Sequence, residues 1–334
     1  MCRISELLTL RAGAYAKIRN FFAERGVLEV ETPLLLPGTN PAPHLDSFVC
    51  DGLYLQTSPE TAMKSLLAQG SGDIYQLCKA FRKNELGRLH NPEFTMLEWY
   101  RLGFDHHKLM DEVEELVVLL LKTKTAARYT YEEVYREWVH LNPHEASLEE
   151  VKQIAQKNGI TVTGLEDDKD SWIQLLFTEL VEPNLEQDRP VFIYDFPSSQ
   201  AMLARVRSEI RRLIRRMTEG EVAKVREVGI ASRFELYYRG MELANGFHEL
   251  NDPEEQLRRF NNDLAKRKAL GIPTVAMDHQ FISLLSQLPD CSGVALGIDR
   301  LLLLGSNCRS LDELILFRRR LQTLFVIARN ERSE

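Results

Sequence analysis

Phe81-Arg82-Lys83-Asn84-Glu85-Leu86-Gly87-Arg88-Leu89-His90-Asn91-Pro92-Glu93-Phe94-Thr95-Met96-Leu97-Glu98-Trp99-Tyr100 decides how this chain folds. Ile74 to Arg82 and Phe94 to Leu102 carry strand patterning, and the polar segment between them closes on Asn-Pro, so the stretch reads strand, loop, strand. Arg82 stands where the first strand gives way to the loop. A guanidinium at that point can neutralise the charge that builds on a phosphate.

Working outward, residues 5 to 25 have helical spacing, with Leu7, Leu8, Leu10, Ala14, Ile18, Phe21 and Phe22 near one face and Gly26 as the stop. Val27 to Val30 follows as a strand before Thr32-Pro33. Phe48 to Cys50 and Leu53 to Leu55 flank Asp51-Gly52, which signals a two-residue hairpin. Pro59 opens a helix running to about Gln69. Residues 106 to 122 read as a helix, and 129 to 188 as a helical insertion whose His140 and His144 belong to the solvated surface. Strands return at Val191 to Tyr194, Arg233 to Tyr238 and Met241 to Phe247. A charged amphipathic helix covers residues 254 to 269. Gly293 to Gly297 reads as a buried strand running into a helix near Asp299. Paired flanking strands of this kind predict an α+β fold around an antiparallel sheet.

The 334 residues suffice for one large domain or two ordinary ones. A composition 44% hydrophobic and 27% charged is that of a globular protein. No apolar run reaches the roughly 18–20 residues that span a bilayer, and the first residues lack signal-peptide character. A cytoplasmic protein without membrane contact is therefore expected. Five scattered cysteines without CxxC spacing indicate reduced thiols rather than a disulfide frame or zinc site. A net charge of −7 argues against broad capture of nucleic acid, which needs a basic surface.

Glu235, Glu242 and Glu249 recur every seven residues. With Arg239-Gly240 as a two-residue turn, Glu242 pairs opposite Tyr237, and Glu235 and Glu242 fall diagonally on one hairpin face. Two such carboxylates repel unless a cation sits between them, which suits Mg²⁺ bridging nucleotide phosphates. Strict alternation turns Glu249 to the other face, so a bulge near Gly246 is required. Arg205, Arg207, Arg211, Arg212, Arg215 and Arg216 read as one side of a helix over 205–216, with Ile210, Leu213, Ile214 and Met217 opposite; the arginines form a solvated side or a docking surface for an acidic partner.

The 81–100 stretch resembles motif 2 of the class II aminoacyl-tRNA synthetases, and His90-Asn91-Pro92-Glu93-Phe94-Thr95-Met96 is similar to its lysyl branch. The first helix, strand and Pro33 resemble motif 1, which lies at the dimer interface of that family and implies a homodimer. Gly293-Val294-Ala295-Leu296-Gly297-Ile298-Asp299-Arg300 resembles motif 3, and Glu242 to Asp252 is similar to the lysyl segment that binds metal and amino acid. The resemblance implies a single class II catalytic domain over 1–334, with a helical insertion at about 106–188. Only a few residues precede the first helix, so no anticodon-binding OB-fold is expected. That absence, with Trp99-Tyr100 and Ala295, makes the chain similar to the free-standing lysyl-synthetase paralogues that modify elongation factor P.

The resemblance also assigns roles. Arg82 would hold the α-phosphate of ATP, Arg300 would lie against adenine and meet the γ-phosphate, and Glu242 would complete the catalytic set. Lys83, Asn84, Glu85, His90 and Asn91 would steady the nucleotide, Phe94 would stack on adenine, and Leu243 and Gly297 would lie beside it. The family usually has Arg-x-Glu where this chain has Arg82-Lys83-Asn84-Glu85, so either Asn84 or Glu85 reads the adenine amino group. Mg²⁺ falls to Glu235 and Glu242. Ser58, Pro59, Glu60, Glu98, Tyr100, Asn245, Glu249 and Ala295 would form the amino-acid pocket, with Glu60 on one ammonium group and Glu249 and Tyr100 on the other. A buried diamino acid needs two carboxylate partners.

The implied reaction activates (R)-β-lysine or lysine as an adenylate and passes it to a lysine of elongation factor P, with no stable tRNA binding. Ala295 stands where lysyl-tRNA synthetases carry Gly, and its methyl could favour an isomer with a displaced amino group. The transfer step needs a proton acceptor, for which Glu98 and Glu249 are candidates. Two rivals stand beside this reading: a truncated lysyl-tRNA synthetase that charges tRNA, and a non-catalytic subunit that binds an amino acid.

Overall fold

The computed structural model describes residues 3–162, 168–212 and 225–317. Nine strands form the main sheet. They are β1 (Leu28–Glu29), β5 (Ile74–Phe81), β6 (Glu93–Leu102), β7 (Ala127–Thr130), β8 (Val191–Pro197), β9 (Val206–Arg212), β10 (Val225–Tyr238), β11 (Met241–His248) and β12 (Cys291–Gly297). Three short strands, β2 (Leu35–Leu36), β3 (Val49–Cys50) and β4 (Leu53–Leu55), make a separate sheet in the order β2-β4-β3. Its Asp51-Gly52 turn has positive φ at both residues, 49° and 80°, the geometry a tight hairpin requires. The α-helices of the described residues are α1 (Ile4–Ala23), α2 (Glu60–Ala68), α3 (His106–Leu121), α4 (Tyr131–Trp138), α5 (Leu148–Lys157), α6 (Lys169–Leu176), α7 (Pro253–Ala269), α8 (His279–Leu284), α9 (Ile298–Leu304) and α10 (Leu311–Leu314).

The main sheet runs β1-β5-β6-β12-β11-β10-β8-β7, with β9 paired to the first half of β10. The six inner strands from β5 to β8 pair antiparallel. Both edges depart from that pattern, because β1 joins β5 and β7 joins β8 in parallel. Each edge strand is separated in sequence from its partner by a long connection, which is what a parallel pair needs.

Register settles which side chains share a face. Gln76, Glu98, Ala295, Asn245, Glu235 and Ile193 stand in one row across six strands. Ile74, Tyr100, Gly293, Phe247 and Arg233 form the adjacent row. The opposite face carries Tyr75, Leu97, Trp99, Val294, Leu296, Phe234 and Leu236, which pack with α1, α3 and α9 into a dry core. A second core, with Tyr131, Tyr135, Phe177 and Phe196, lies under α4 and α6 on the polar-row side. One sheet face is thus committed to packing, while the other interrupts its apolar cover with a line of polar groups. Buried polar groups cost free energy unless partnered, so such a line marks a site rather than core.

Three sequence expectations change. The bulge lies at Leu243, not near Gly246: Leu236 pairs with Ala244 and Tyr237 with Glu242, leaving Leu243 as the extra residue. Gly246 cannot be the pivot because it is packed against the Phe234 ring, where an added Cβ would lie 2.3 Å from Cζ. The result is the one foreseen, since a bulge at Leu243 puts Glu242 on the face of Glu235, Asn245 and Phe247. The helix expected over 205–216 is instead strand β9 over Val206–Arg212, paired to Val225–Ala231. Residues 213–216 and their side chains fall outside the described part. His144, expected on the solvated surface, is half-buried, and desolvation pushes its imidazole down to about 4.

Candidate active site

The turn Thr57-Ser58-Pro59-Glu60 joins two groups of charged side chains. The Thr57 carbonyl accepts from Arg82 Nε at 3.4 Å. Ser58 Oγ donates to Glu98 Oε2 at 2.7 Å and accepts from the Glu60 N–H at 3.0 Å, so it starts α2 and fixes a carboxylate at once. Pro59 suits the first helical turn because its missing N–H would have no helical partner there.

One group is buried. Glu98 accepts from Tyr100 Oη at 2.6 Å as well as from Ser58. Lys64, on the inner face of α2, places Nζ 2.6 Å from Glu60 Oε1 and 2.5 Å from Glu249 Oε2. Lys64 and Glu249 are each 1% exposed, and Glu98 is 2% exposed. Burial pushes the Glu98 carboxyl up to about 7, with Glu60 adding to the rise. It pushes Glu249 up to about 8, although the Lys64 ammonium pulls the other way. For Lys64, desolvation favours the neutral amine, but Glu249 and Glu60 outweigh it and raise the ammonium above its ordinary value. Gly293 makes this packing possible, because a Cβ there would lie 2.2 Å from Tyr100 Cε1 and 2.5 Å from Glu249 Oε1.

The other group lines an open cleft of about 1330 Å³. Arg82, Glu85, His90, Asn91, Phe94, Glu235, Glu242, Leu243, Asn245, Ala295, Gly297 and Arg300 all contribute to its walls. Arg82 lies over the Phe94 ring, 5.2 Å from its centroid, and 3.7 Å from Glu85. The loop after β5 is tied down by the Arg82 N–H on the Pro92 carbonyl and the Lys83 N–H on the Asp46 carbonyl. Asn84 takes φ of 69° and donates to Asp46 Oδ2, and both Lys83 and Asn84 are exposed. Arg300, in the first turn of α9, donates to the carbonyls of Glu242 at 2.7 Å and Leu89 at 3.2 Å, and meets His90 Nε2 at 2.7 Å. It therefore fastens the loop to β11. Gly297 leaves room above it, with the nearest heavy atom 3.8 Å from an added Cβ.

Glu235, in the cleft wall, stands beyond Ala295 and Asn245 from Glu98 in the sheet row. It accepts from Arg233, from Tyr237 Oη at 2.6 Å and from Asn245 at 3.4 Å. Burial raises its carboxyl, Arg233 opposes that, and Glu242 adds to it. The cation expected between two acidic residues is thus supplied on one side by Arg233. A Mg²⁺ ion carried on phosphates needs only one or two protein carboxylates. Glu242, partly exposed on the same face, fits that need, with Glu235 behind it. Among the described residues, the only set of three His, Cys, Asp or Glu groups with convergent ligand atoms is His106, His107 and Asp195. Asp195 is already held by Arg207 at 2.5 Å and His106 at 3.1 Å, and the guanidinium disfavours a second cation.

The structure brings the predicted pocket and cleft residues to one sheet face or its rim, apart from Lys83 and Asn84, which lie on the loop exterior, and Leu243, which lines the cleft but is buried in the core of the opposite face. Sequence reasoning missed Lys64, Arg233, Tyr237 and Gly293. Lys64 was readable only as an ordinary Glu60–Lys64 helix pair, and the others required the register.

The family model for tRNA synthetases class II (D, K and N) matches residues 2–320. The chain is 48% identical over 324 residues to a Vibrio parahaemolyticus protein named elongation factor P–(R)-beta-lysine ligase, covering 93% of this chain and 95% of that one. Proteins of the same name from Vibrio cholerae and Salmonella dublin are 46% and 44% identical over 322 residues, each covering 93% of this chain and 94% of the relative.

Proposed function

The chain belongs to the class II tRNA synthetases (D, K and N), and from that premise we propose that it is an ATP-dependent ligase that activates (R)-β-lysine, or lysine, and transfers it to a lysine side chain of elongation factor P. The observation that carries this reading is the meeting, through one four-residue turn, of a carboxylate cluster with an arginine-lined cleft. A diamino acid is a dication with one carboxylate, and ATP is a polyanion. The buried acids suit the ammonium groups, and Arg82 and Arg300 suit the phosphates. The relatives' shared name specifies the acceptor and the amino acid.

In the first step the amino-acid carboxylate attacks the α-phosphorus of ATP and pyrophosphate leaves. An α-carboxyl is already ionised near neutrality, so no general base is required. Arg82, which lies over the Phe94 ring and donates to the Thr57 carbonyl, would neutralise charge on the α-phosphate, and Arg300 would serve the distal phosphates. Glu242, with Glu235, would hold Mg²⁺, which when bound neutralises phosphate charge. In the second step the ε-amine of the acceptor lysine attacks the activated carbonyl, AMP leaves, and a proton must be taken from the amine. Glu98 and Glu249, with carboxyls raised towards neutrality, are the groups on this face suited to accept it. We extend the proposal to one catalytic domain working as a homodimer.

The test is incubation with ATP and each lysine isomer, with elongation factor P or tRNA as acceptor, read by intact mass and acid-stable labelling. Mass addition to elongation factor P supports the proposal. Stable acylation of tRNA alone would replace it with the tRNA-charging alternative.

A further inference from the structure

We infer that Lys64 is a positioning and specificity-determining residue of the amino-acid pocket, an internal counter-ion that leaves the three acids Glu60, Glu98 and Glu249 with two negative charges to offer a dicationic substrate. The inference rests on the amino-acid-activating reading proposed above and adds a residue to it.

The buried residues of α2 are Met63, Lys64 and Leu67, so the lysine occupies a core position between apolar neighbours. Lysines beside apolar surface ordinarily extend their stems until the ammonium reaches water. Lys64 does the reverse and ends between Glu60 and Glu249. A local rule broken this way, with full burial, signals a requirement of the site rather than of the helix.

The groups facing this ammonium and its partners are Glu60 from α2, Glu98 and Tyr100 from β6, Glu249 beyond β11, Cys78 from β5 and Cys291 from β12. Both thiols and the phenol are raised by burial and stay neutral. Once the substrate's ammonium groups draw the protons off Glu98 and Glu249, three carboxylates and one ammonium leave two negative charges, which those two ammonium groups neutralise. Without Lys64, the same acids would hold a third charge that such a substrate cannot balance, and a carboxyl would stay protonated instead. The same contacts also set geometry, since Nζ spans Glu60 on the helix and Glu249 on the sheet and fixes their separation.

The test uses the full-length protein with Lys64→Met, which keeps the stem, and Lys64→Arg, which keeps the charge. Amino-acid-dependent ATP–pyrophosphate exchange is measured from about pH 6 to about pH 9. In Lys64→Met the KM for the diamino acid should rise about tenfold or more while the KM for ATP stays within about twofold. Because the ammonium lowers Glu249, its loss should also move the acid limb of kcat/KM up by about one pH unit. Lys64→Arg should keep the wild-type limb. A folded Lys64→Met protein with unchanged amino-acid KM and acid limb overturns the inference, as does an equal rise in both KM values.

If Lys64→Met does not fold, calorimetry on the wild type decides. Binding of lysine or β-lysine near pH 7, in buffers of different ionisation enthalpy, must release protons from the acids; no release sinks the proposal. Calorimetry also separates the two failures, because binding without exchange would defeat the ligase reading and leave the Lys64 assignment standing.

Discussion

Gly293 shows how closely single atoms set this site. Its missing side chain is the space that Tyr100 and Glu249 occupy, so Gly293→Ala must displace one of them. Overpacking of this kind costs about 1–3 kcal/mol. We expect the diamino-acid KM to rise by about 5- to 100-fold with little change for ATP, read by pyrophosphate exchange; an equal effect on both substrates would mean general damage. Ala295 lies in the row between Glu98 and Asn245, so its methyl faces the pocket. Ala295→Gly should therefore alter the preference between lysine and β-lysine by about tenfold or more. The same preference in both proteins would remove Ala295 from the account of specificity. At this scale the sequence was legible where a residue stands in a motif whose pattern it matches, as with Arg82 and Arg300. Lys64 was hidden because a Glu and a Lys four residues apart normally decorate an exposed helix, and only the packing of α2 against the sheet turns that pair inward.

At the scale of elements, α1, β6 and α9 meet at Asp299. Its Oδ1 lies 2.5 Å from Arg11, and its Oδ2 accepts the Thr95 N–H at 2.7 Å. Arg300 is the next residue, so the first helix of the chain helps fix the start of α9 and the guanidinium it presents. Arg11→Met would leave a buried carboxylate short of its charge partner, at a cost of about 1–3 kcal/mol after allowing for the partial exposure of Arg11. A fall in Tm of several degrees, with a raised ATP KM, is the expected outcome, and an unchanged Tm would exclude the coupling. The strand-loop-strand of residues 81 to 100, the hairpin over 233–247 and the ends of α2 and α7 followed from periodicity and punctuation. Strand β9 did not. The helical spacing read over 205–216 gives way, over Val206–Arg212, to pairing with Val225–Ala231, a partner no local pattern reveals. The bulge was inferable because Glu242 and Glu249 had to share a face, but its place at Leu243 depended on which backbone lay against Phe234.

For the whole molecule, one sheet face is spent on packing and the other on charge. The buried carboxyls carry a consequence for stability. Glu98 and Glu249 are raised from 4.5 to about 7 and about 8. The folded protein therefore favours their protonated forms, a contribution fully present below the unfolded value and lost as pH rises through the folded values. The free protein should lose thermal stability between about pH 5 and about pH 8, and a diamino acid should restore it by an amount that grows over the same interval. A ligand-induced Tm shift independent of pH would contradict this. The central claim is that these acids and the two arginines grip ATP beside a doubly cationic amino acid to make an adenylate. Pyrophosphate exchange with lysine, β-lysine and norleucine, compared on the purified protein, tests it most directly. Exchange with a lysine isomer and almost none with norleucine is the result the structure predicts. No exchange with either isomer, or equal exchange with norleucine, would contradict it.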